Sequence, residues 1–278
     1  MTKKKNIKII YIVGPPKSGT TLLQRIISSS IKGNKIIIPE CHSLTSTLKE
    51  FHEIITYNDN NYINRHFGSK KKMILYFKNI INQKVEHIIQ NNKKNINKKI
   101  IVLKDPNISY YLKSLNLLVN KNSYLVLILR NPLFVIDRYI KGIKREYNSY
   151  NFLEIVKKIF LFYYKIENFM KLNKNYYLIR YEDLINKDFD KLDKFLSIKL
   201  SSQNYLKLKK SYLRKKTFGY SEGFTQEIDK KYNSQLINIG FFRKIYIINR
   251  FGYFIDKYYP KRISRKNIIY KKLKNLSR

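Results

Sequence analysis

The sequence predicts an α/β protein, a three-layer structure in which a parallel β-sheet lies between helices. Three observations carry that expectation. Short β-branched runs alternate with longer stretches of helical periodicity, the pattern of strands joined by crossover helices. The first such run stops at a Gly/Pro loop that leads straight into a helical pattern. Hydrophobic residues make up 44% of the 278 positions, and the chain carries 24 Tyr and 16 Phe, enough apolar side chain to fill a core and too much for a disordered chain.

Lys8 to Val13 is a compact β-branched run stopped by Gly14-Pro15-Pro16, and Thr20 to Ile31 then has apolar residues at helical spacing. Ile36-Ile37-Ile38 is a second, short β-run ended by Pro39. A polar, Asn-rich stretch from Tyr57 to Asn64 precedes a lysine-laced helix over Met73 to Asn91, and Asn91 to Lys99 is a loop. Ile100 to Leu103 is a β-run before Lys104-Asp105-Pro106, and Tyr110 to Val119 is helical. Tyr124 to Leu129 has the strongest strand character in the chain and ends at Arg130-Asn131-Pro132. Helices follow over Leu133 to Tyr147 and Phe152 to Leu172, then a strand at Tyr176 to Ile179 and a helix through Leu196.

Composition excludes several classes of protein. A lone cysteine, Cys41, cannot close an internal disulfide, and one cysteine with 4 scattered histidines cannot build a zinc cage. No stretch approaches the roughly 18 apolar residues of a membrane span, and Met1-Thr2-Lys3-Lys4-Lys5 runs into the first strand without a cleavage site. The expectation is a cytoplasmic protein. The net charge of +38 invites a nucleic-acid reading, but its origin weighs against one. The chain has 45 Lys, 42 Ile and 29 Asn, residues of A/T-rich codons, and no Ala or Trp, which attributes much of the charge to nucleotide composition acting on tolerant surface positions. A basic surface attracts polyanions of any kind, so no specific nucleic-acid partner is expected.

The strongest local signal is Tyr11-Ile12-Val13-Gly14-Pro15-Pro16-Lys17-Ser18-Gly19-Thr20-Thr21, between a strand and a helix. Such a loop aims free backbone N–H groups and the positive helix end at an anion, so phosphate or sulfate binding follows. Gly14 and Gly19 keep the glycine spacing of the nucleotide-triphosphatase loop, but Thr20 stands where its lysine belongs, and the lysine is at Lys17. No Asp ends the run Tyr124 to Leu129 to hold magnesium. A kinase or nucleotidase is therefore the alternative enzyme, and a basic nucleic-acid or membrane-surface binding module the non-enzymatic one.

Pro16 to Thr21 resembles the Pro-Lys-Ser-Gly-Thr-Thr loop of sulfotransferases that use 3′-phosphoadenosine 5′-phosphosulfate (PAPS). The resemblance implies a P-loop NTPase-like sulfotransferase architecture and no metal. It implies that Pro16, Lys17, Ser18, Gly19, Thr20 and Thr21 hold the 5′-phosphosulfate, with Lys17 neutralising the bridging oxygen as the sulfuryl group leaves. Leu125 to Pro132 resembles the family's strand ending in Arg-Asn-Pro, whose arginine and a serine eight residues on grip the 3′-phosphate. Arg130 takes the arginine position, and its planar fork suits a phosphate. The serine position holds Arg138, which either binds the same phosphate or points away. Arg180-Tyr181-Glu182-Asp183-Leu184 resembles a Tyr-Glu-Asp-Leu element whose tyrosine lies near adenine; for the acids, a helix cap at Asp183 is an equal reading. Arg214-Lys215-Lys216 resembles a segment that adds 3′-phosphate contacts through Arg214 and Lys215.

Lys104-Asp105-Pro106 resembles an element that brings a second lysine, Lys104, to the sulfate. The acceptor hydroxyl must lose a proton as it attacks sulfur, so a Glu or His has to reach that oxygen. Relatives use either. Glu40 and His42, two residues apart after the second β-run, fall at the carboxyl edge of the sheet, where ligands of open α/β folds bind, and both are candidates. The resemblance covers Ile9 to Phe218 and suggests a hydroxyl acceptor on a carbohydrate or glycolipid. Residues 1–240 are expected to form the sulfotransferase domain and 241–278 a basic, aromatic helical extension packed on it. Phe241, Phe242, Ile245, Ile248, Phe251, Phe254 and Ile255 recur there at helical spacing among basic residues. The other reading of that tail is an amphipathic helix in peripheral contact with the inner membrane face.

Overall fold

Four parallel strands, β1 (Lys8–Val13), β2 (Ile100–Lys104), β3 (Ser123–Leu129) and β4 (Tyr177–Arg180), form a sheet in the order β2-β1-β3-β4. The protein is seen in a computed structural model, which describes residues 7–34, 36–97, 99–146, 151–186, 189–200 and 241–259. A strand's side chains alternate between faces, and here both faces are covered. Ile10, Ile12, Val102, Val126 and Ile128 pack on α1 (Thr20–Ser30) and on α8 (Tyr181–Ile185) and α9 (Asp190–Leu196). Tyr11, Val13, Leu103, Leu125 and Leu127 face the larger helical layer. That layer holds α2 (His42–Tyr57), α3 (Asn60–Phe67), α4 (Lys70–Asn91), α5 (Leu112–Leu118), α6 (Pro132–Glu146), α7 (Phe152–Leu172) and α10 (Phe241–Tyr258). The three-layer parallel architecture is the one the sequence predicts.

Local chemistry fixes the helix ends. The side chains of Asp59, Ser69 and Asn151 accept from backbone N–H groups in the first turns of α3, α4 and α7. β1 passes to β2 on one side, and β3 lies on its other side, so the carboxyl ends of β1 and β3 flank a switch point of the sheet, the usual ligand crevice of this architecture.

Three expectations need correction. Ile36 to Ile38 is not a strand. The segment runs past the edge of β2 but is held by a side chain: Gln24 Nε2 donates to Ile38 O at 2.9 Å and to Val102 O at 3.3 Å. Residues 42–57, to which periodicity assigns no element, form α2, and Asp59 caps α3 inside the polar stretch that follows. Asp183 caps no helix either. Its two carboxylate oxygens take the Arg180 guanidinium, Nε at 2.8 Å, and Arg180 itself stands at the N-cap of α8. The helical span Tyr110 to Val119 opens with a 3₁₀ turn over Pro106–Tyr111 before α5.

Helix α10 packs on α6 and α7. Phe251 and Phe254 meet Tyr163 with ring centroids 5.5 Å apart. Beside them Glu167, 3% exposed, accepts from Tyr253 Oη at 2.8 Å, Lys257 Nζ at 2.7 Å and the Tyr258 hydroxyl. Burial alone would raise the Glu167 pKa, but these hydrogen bonds outweigh it and hold the carboxyl below its ordinary range. No helix among the described residues is long and apolar enough to cross a membrane.

Candidate active site

The loop between β1 and α1 is built on two glycines for different reasons. A Cβ on Gly14 would stand 2.3 Å from the Ile128 carbonyl, so only glycine lets the loop lie this close to β3. Gly19 has φ +101 at the N-cap of α1, and a Cβ there would enter the Tyr181 ring at 2.5 Å. Between them Ser18 N donates to Pro15 O at 3.1 Å, and Lys17, exposed, takes φ +66. The Lys17 amine leans towards Gly142 of α6, where a Cβ would meet its Nζ at 3.9 Å. Ser18 is wholly buried and its hydroxyl has no partner among the described residues. A buried hydroxyl without a partner costs free energy unless a ligand supplies one, so the loop is shaped for an oxyanion.

Strand β3 delivers Arg130 to the other flank of the loop. It is 5% exposed; Nη1 donates to Lys17 O at 3.2 Å, and the guanidinium lies 4.0 Å from the centroid of the Tyr181 ring. The Tyr163 hydroxyl donates to the Arg130 carbonyl, and Asn131 Oδ1 accepts from Leu133 N at 3.0 Å, which fixes the turn into α6. Arg138 is half-buried one helical segment further along α6. Arg214 and Lys215 lie outside the described residues.

Strand β2 supplies the third group. Lys104, 5% exposed, donates to Thr21 Oγ1 at 3.0 Å and pairs with Glu40 Oε1. Glu40 Oε2 lies 3.7 Å from His42 Nε2, and His42 Nδ1 is 3.0 Å from Asp105 Oδ2. Asp105 is fully buried. Its Oδ2 also accepts from Thr45 Oγ1 at 2.7 Å, and its Oδ1 from Asn107 N at 2.9 Å. Cys41 N donates to Lys104 O at 3.2 Å, a backbone tie that brings the Glu40 segment to the end of β2. Burial raises the Cys41 thiol to about 11, so it is a packed hydrophobe and no nucleophile.

Glu40, His42 and Asp105 place three donor atoms within 4.8 Å of one another, a spacing that could admit a cation. Glu40 Oε1 is paired with Lys104, and Asp105 with Thr45, Asn107 and the His42 ring, so the group is a hydrogen-bonded chain running from Thr21 to Thr45. The site thus has an anion cradle, cations at Lys17, Lys104 and Arg130 around it, and proton acceptors at its rim. Sequence reasoning gives a role to each residue of the cradle, to its cations and to the acceptors, but none to Asp105 or Thr45. Asp105 Oδ1 caps the turn that follows it, and the contact of Oδ2 with a residue 63 positions away leaves no local mark in the sequence.

Residues 10–197 match the family model described as the sulfotransferase family. The chain belongs to the sulfotransferase family. As a sulfotransferase it is an enzyme that moves a sulfuryl group. No curated protein sequence matches this sulfotransferase. Among solved structures it is similar to the sulfotransferase domain from the curacin biosynthetic pathway, at 19% identity over 71% of this chain and 76% of that one, with a TM-score of 0.46. The sulfotransferase domain from the Synechococcus PCC 7002 olefin synthase gives 16%, 73%, 78% and 0.47. Sulfotransferase STF9 from Mycobacterium avium gives 9%, 91%, 77% and 0.48.

Proposed function

We propose that this sulfotransferase takes the sulfuryl group from PAPS and passes it to a hydroxyl of a carbohydrate or glycolipid. The observation that carries the reading is the pair of cations that brace the loop: Arg130 bonded to Lys17 O from β3, and Lys104 bonded to Thr21 from β2. Residues 16–21 take the 5′-phosphosulfate, with the Ser18 hydroxyl as a donor waiting for an oxyanion. Arg130 binds the 3′-phosphate, joined by Arg138 and, from beyond the described residues, Arg214 and Lys215. Tyr181, stacked between Gly19 and Arg130, borders the adenine.

In the transfer, the acceptor oxygen forms a bond to sulfur while the bond from sulfur to the bridging oxygen breaks. That electron pair stays on the phosphate of adenosine 3′,5′-bisphosphate, where Lys17 meets the growing charge. Lys104 faces the sulfuryl oxygens, and the acceptor proton goes to the Glu40–His42 pair. A hydroxyl about 2.8 Å from both His42 Nε2 and Glu40 Oε2 would stand at the apex of a triangle on their separation, within reach of either. Residues 1–240 form the catalytic domain in this reading and 241–278 an extension of it, and the enzyme works on the cytoplasmic side of the membrane.

Thermal denaturation with adenosine 3′,5′-bisphosphate against ATP and magnesium tests the proposal. At 100 times its Kd the cognate nucleotide adds about 2.7 kcal/mol of stability. The expected result is a rise in Tm with the bisphosphate and none with ATP and magnesium; the reverse would transfer the protein to the kinase or nucleotidase class.

A further inference from the structure

Resting on the reading that a hydroxyl gives up its proton at the Glu40–His42 pair, we propose that Asp105 is a positioning residue which fixes His42 with its proton on Nδ1, leaving Nε2 as the proton acceptor. A carboxylate can only accept, and Asp105 spends its lone pairs on donors: Thr45 Oγ1 at 2.7 Å, Asn107 N at 2.9 Å and the His42 ring at 3.0 Å. The ring nitrogen that faces it must therefore be the one that carries hydrogen.

The rest of the site is consistent with that division of labour. Glu40 Oε1 is already engaged by the Lys104 ammonium, so that oxygen is not open to the acceptor. His42 is exposed on the side away from Asp105, with 68% of its side chain accessible, so an acceptor can approach Nε2. The charged groups around the ring are Glu40 on its own segment, Lys104 and Asp105 from the end of β2, and Lys84 of α4, whose Nζ holds Ser43 O and Thr47 Oγ1 in the first turns of α2. Thr45, one turn beyond His42 on α2, pins the carboxylate from the far side. The arrangement is a buried acid behind an exposed imidazole, which sets tautomer and ring orientation as in other acid–histidine pairs.

The test uses the full chain, labelled with ¹⁵N-histidine. With only 4 histidines, His42 is assigned by the signal lost in His42→Gln. At about pH 8.5, where an ordinary imidazole is neutral, the wild type should carry hydrogen on Nδ1, and Asp105→Asn, whose amide can donate, should move it to Nε2. In parallel, ³⁵S transfer from PAPS to 4-nitrophenyl glycosides is compared for Asp105→Asn, His42→Gln and the double variant. Asp105→Asn should lower kcat about 100-fold with little change in KM, and the double variant should be no slower than His42→Gln. Unchanged stabilisation by adenosine 3′,5′-bisphosphate checks that Asp105→Asn is folded; if it is not, Thr45→Val replaces it, with a smaller shift of the same tautomer signal. Hydrogen on Nε2 in the wild type, or losses that multiply in the double variant, overturns the proposal. A wild type that turns over none of the glycosides and ignores the bisphosphate defeats the PAPS reading instead, and the tautomer alone then decides the role of Asp105.

Discussion

At the scale of single residues, the loop makes the sharpest demands. Lys17 is exposed, and in the proposed reading its ammonium meets the bridging oxygen, which would put its contribution in the transition state more than in binding. Lys17→Ala should lower kcat by about 100-fold to 1,000-fold while the Kd for adenosine 3′,5′-bisphosphate changes far less. Equal losses in rate and binding would remove the transition-state role. Gly14 faces backbone, which cannot swing aside: Gly14→Ala sets a methyl 2.3 Å from Ile128 O and should cost about 3 kcal/mol in chemical denaturation. Arg130→Ala should erase any preference for a nucleotide bearing the 3′-phosphate, measured as the ratio of Kd values with and without it. The turn over residues 16–21 was readable as a strand–loop–helix connection because it is a contiguous string in which each residue type has a geometric reason. Asp105 was not, since its meaning depends on His42 arriving from a separate segment.

At the scale of elements, the strands of the sheet and most long helices were legible, but α2, over His42–Tyr57, and the short connections were not. Lys8–Val13 and Phe152–Leu172 have the bounds that periodicity assigns, because burial on one or two faces writes itself into every second or every third to fourth residue. Ile36 to Ile38 has the composition of a strand, but strand identity is a backbone ladder, and Gln24 takes the place of that ladder from another helix. Helix α10 gives the element-scale prediction. The Glu167 carboxyl is held below its unfolded pKa, so its stabilising contribution is present above the unfolded carboxylate range and is lost as pH falls through the folded value. The partner has the opposite sign: its bond to Glu167 raises the Lys257 pKa, giving a contribution present below the ordinary lysine range and lost as pH rises through the raised value. Glu167→Leu should cost about 1.5–3 kcal/mol at neutral pH and flatten the acid side of the Tm–pH curve. A variant that keeps the wild-type acid slope would show that other carboxylates set it.

At the scale of the whole molecule, a net charge of +38 with only 19 acidic residues means that any polyanion is attracted from all sides. Binding to heparin or to DNA of random sequence should therefore be non-selective and fall steeply with salt, read as a linear drop of log K against log salt. Selective sub-micromolar binding of one sequence at about 150 mM salt would instead identify a nucleic-acid surface. The buried carboxylate of α7 bears on the making of the molecule as well as on its stability. Glu167 leaves the ribosome 86 residues before Tyr253 and 91 before Tyr258, so throughout that interval the nascent chain holds an acid whose interior place has no counter-charge. Translation order thus gives α10 the character of a latch: all four strands are made before it, and the donors that satisfy Glu167 arrive only once residues 253–258 have been synthesised.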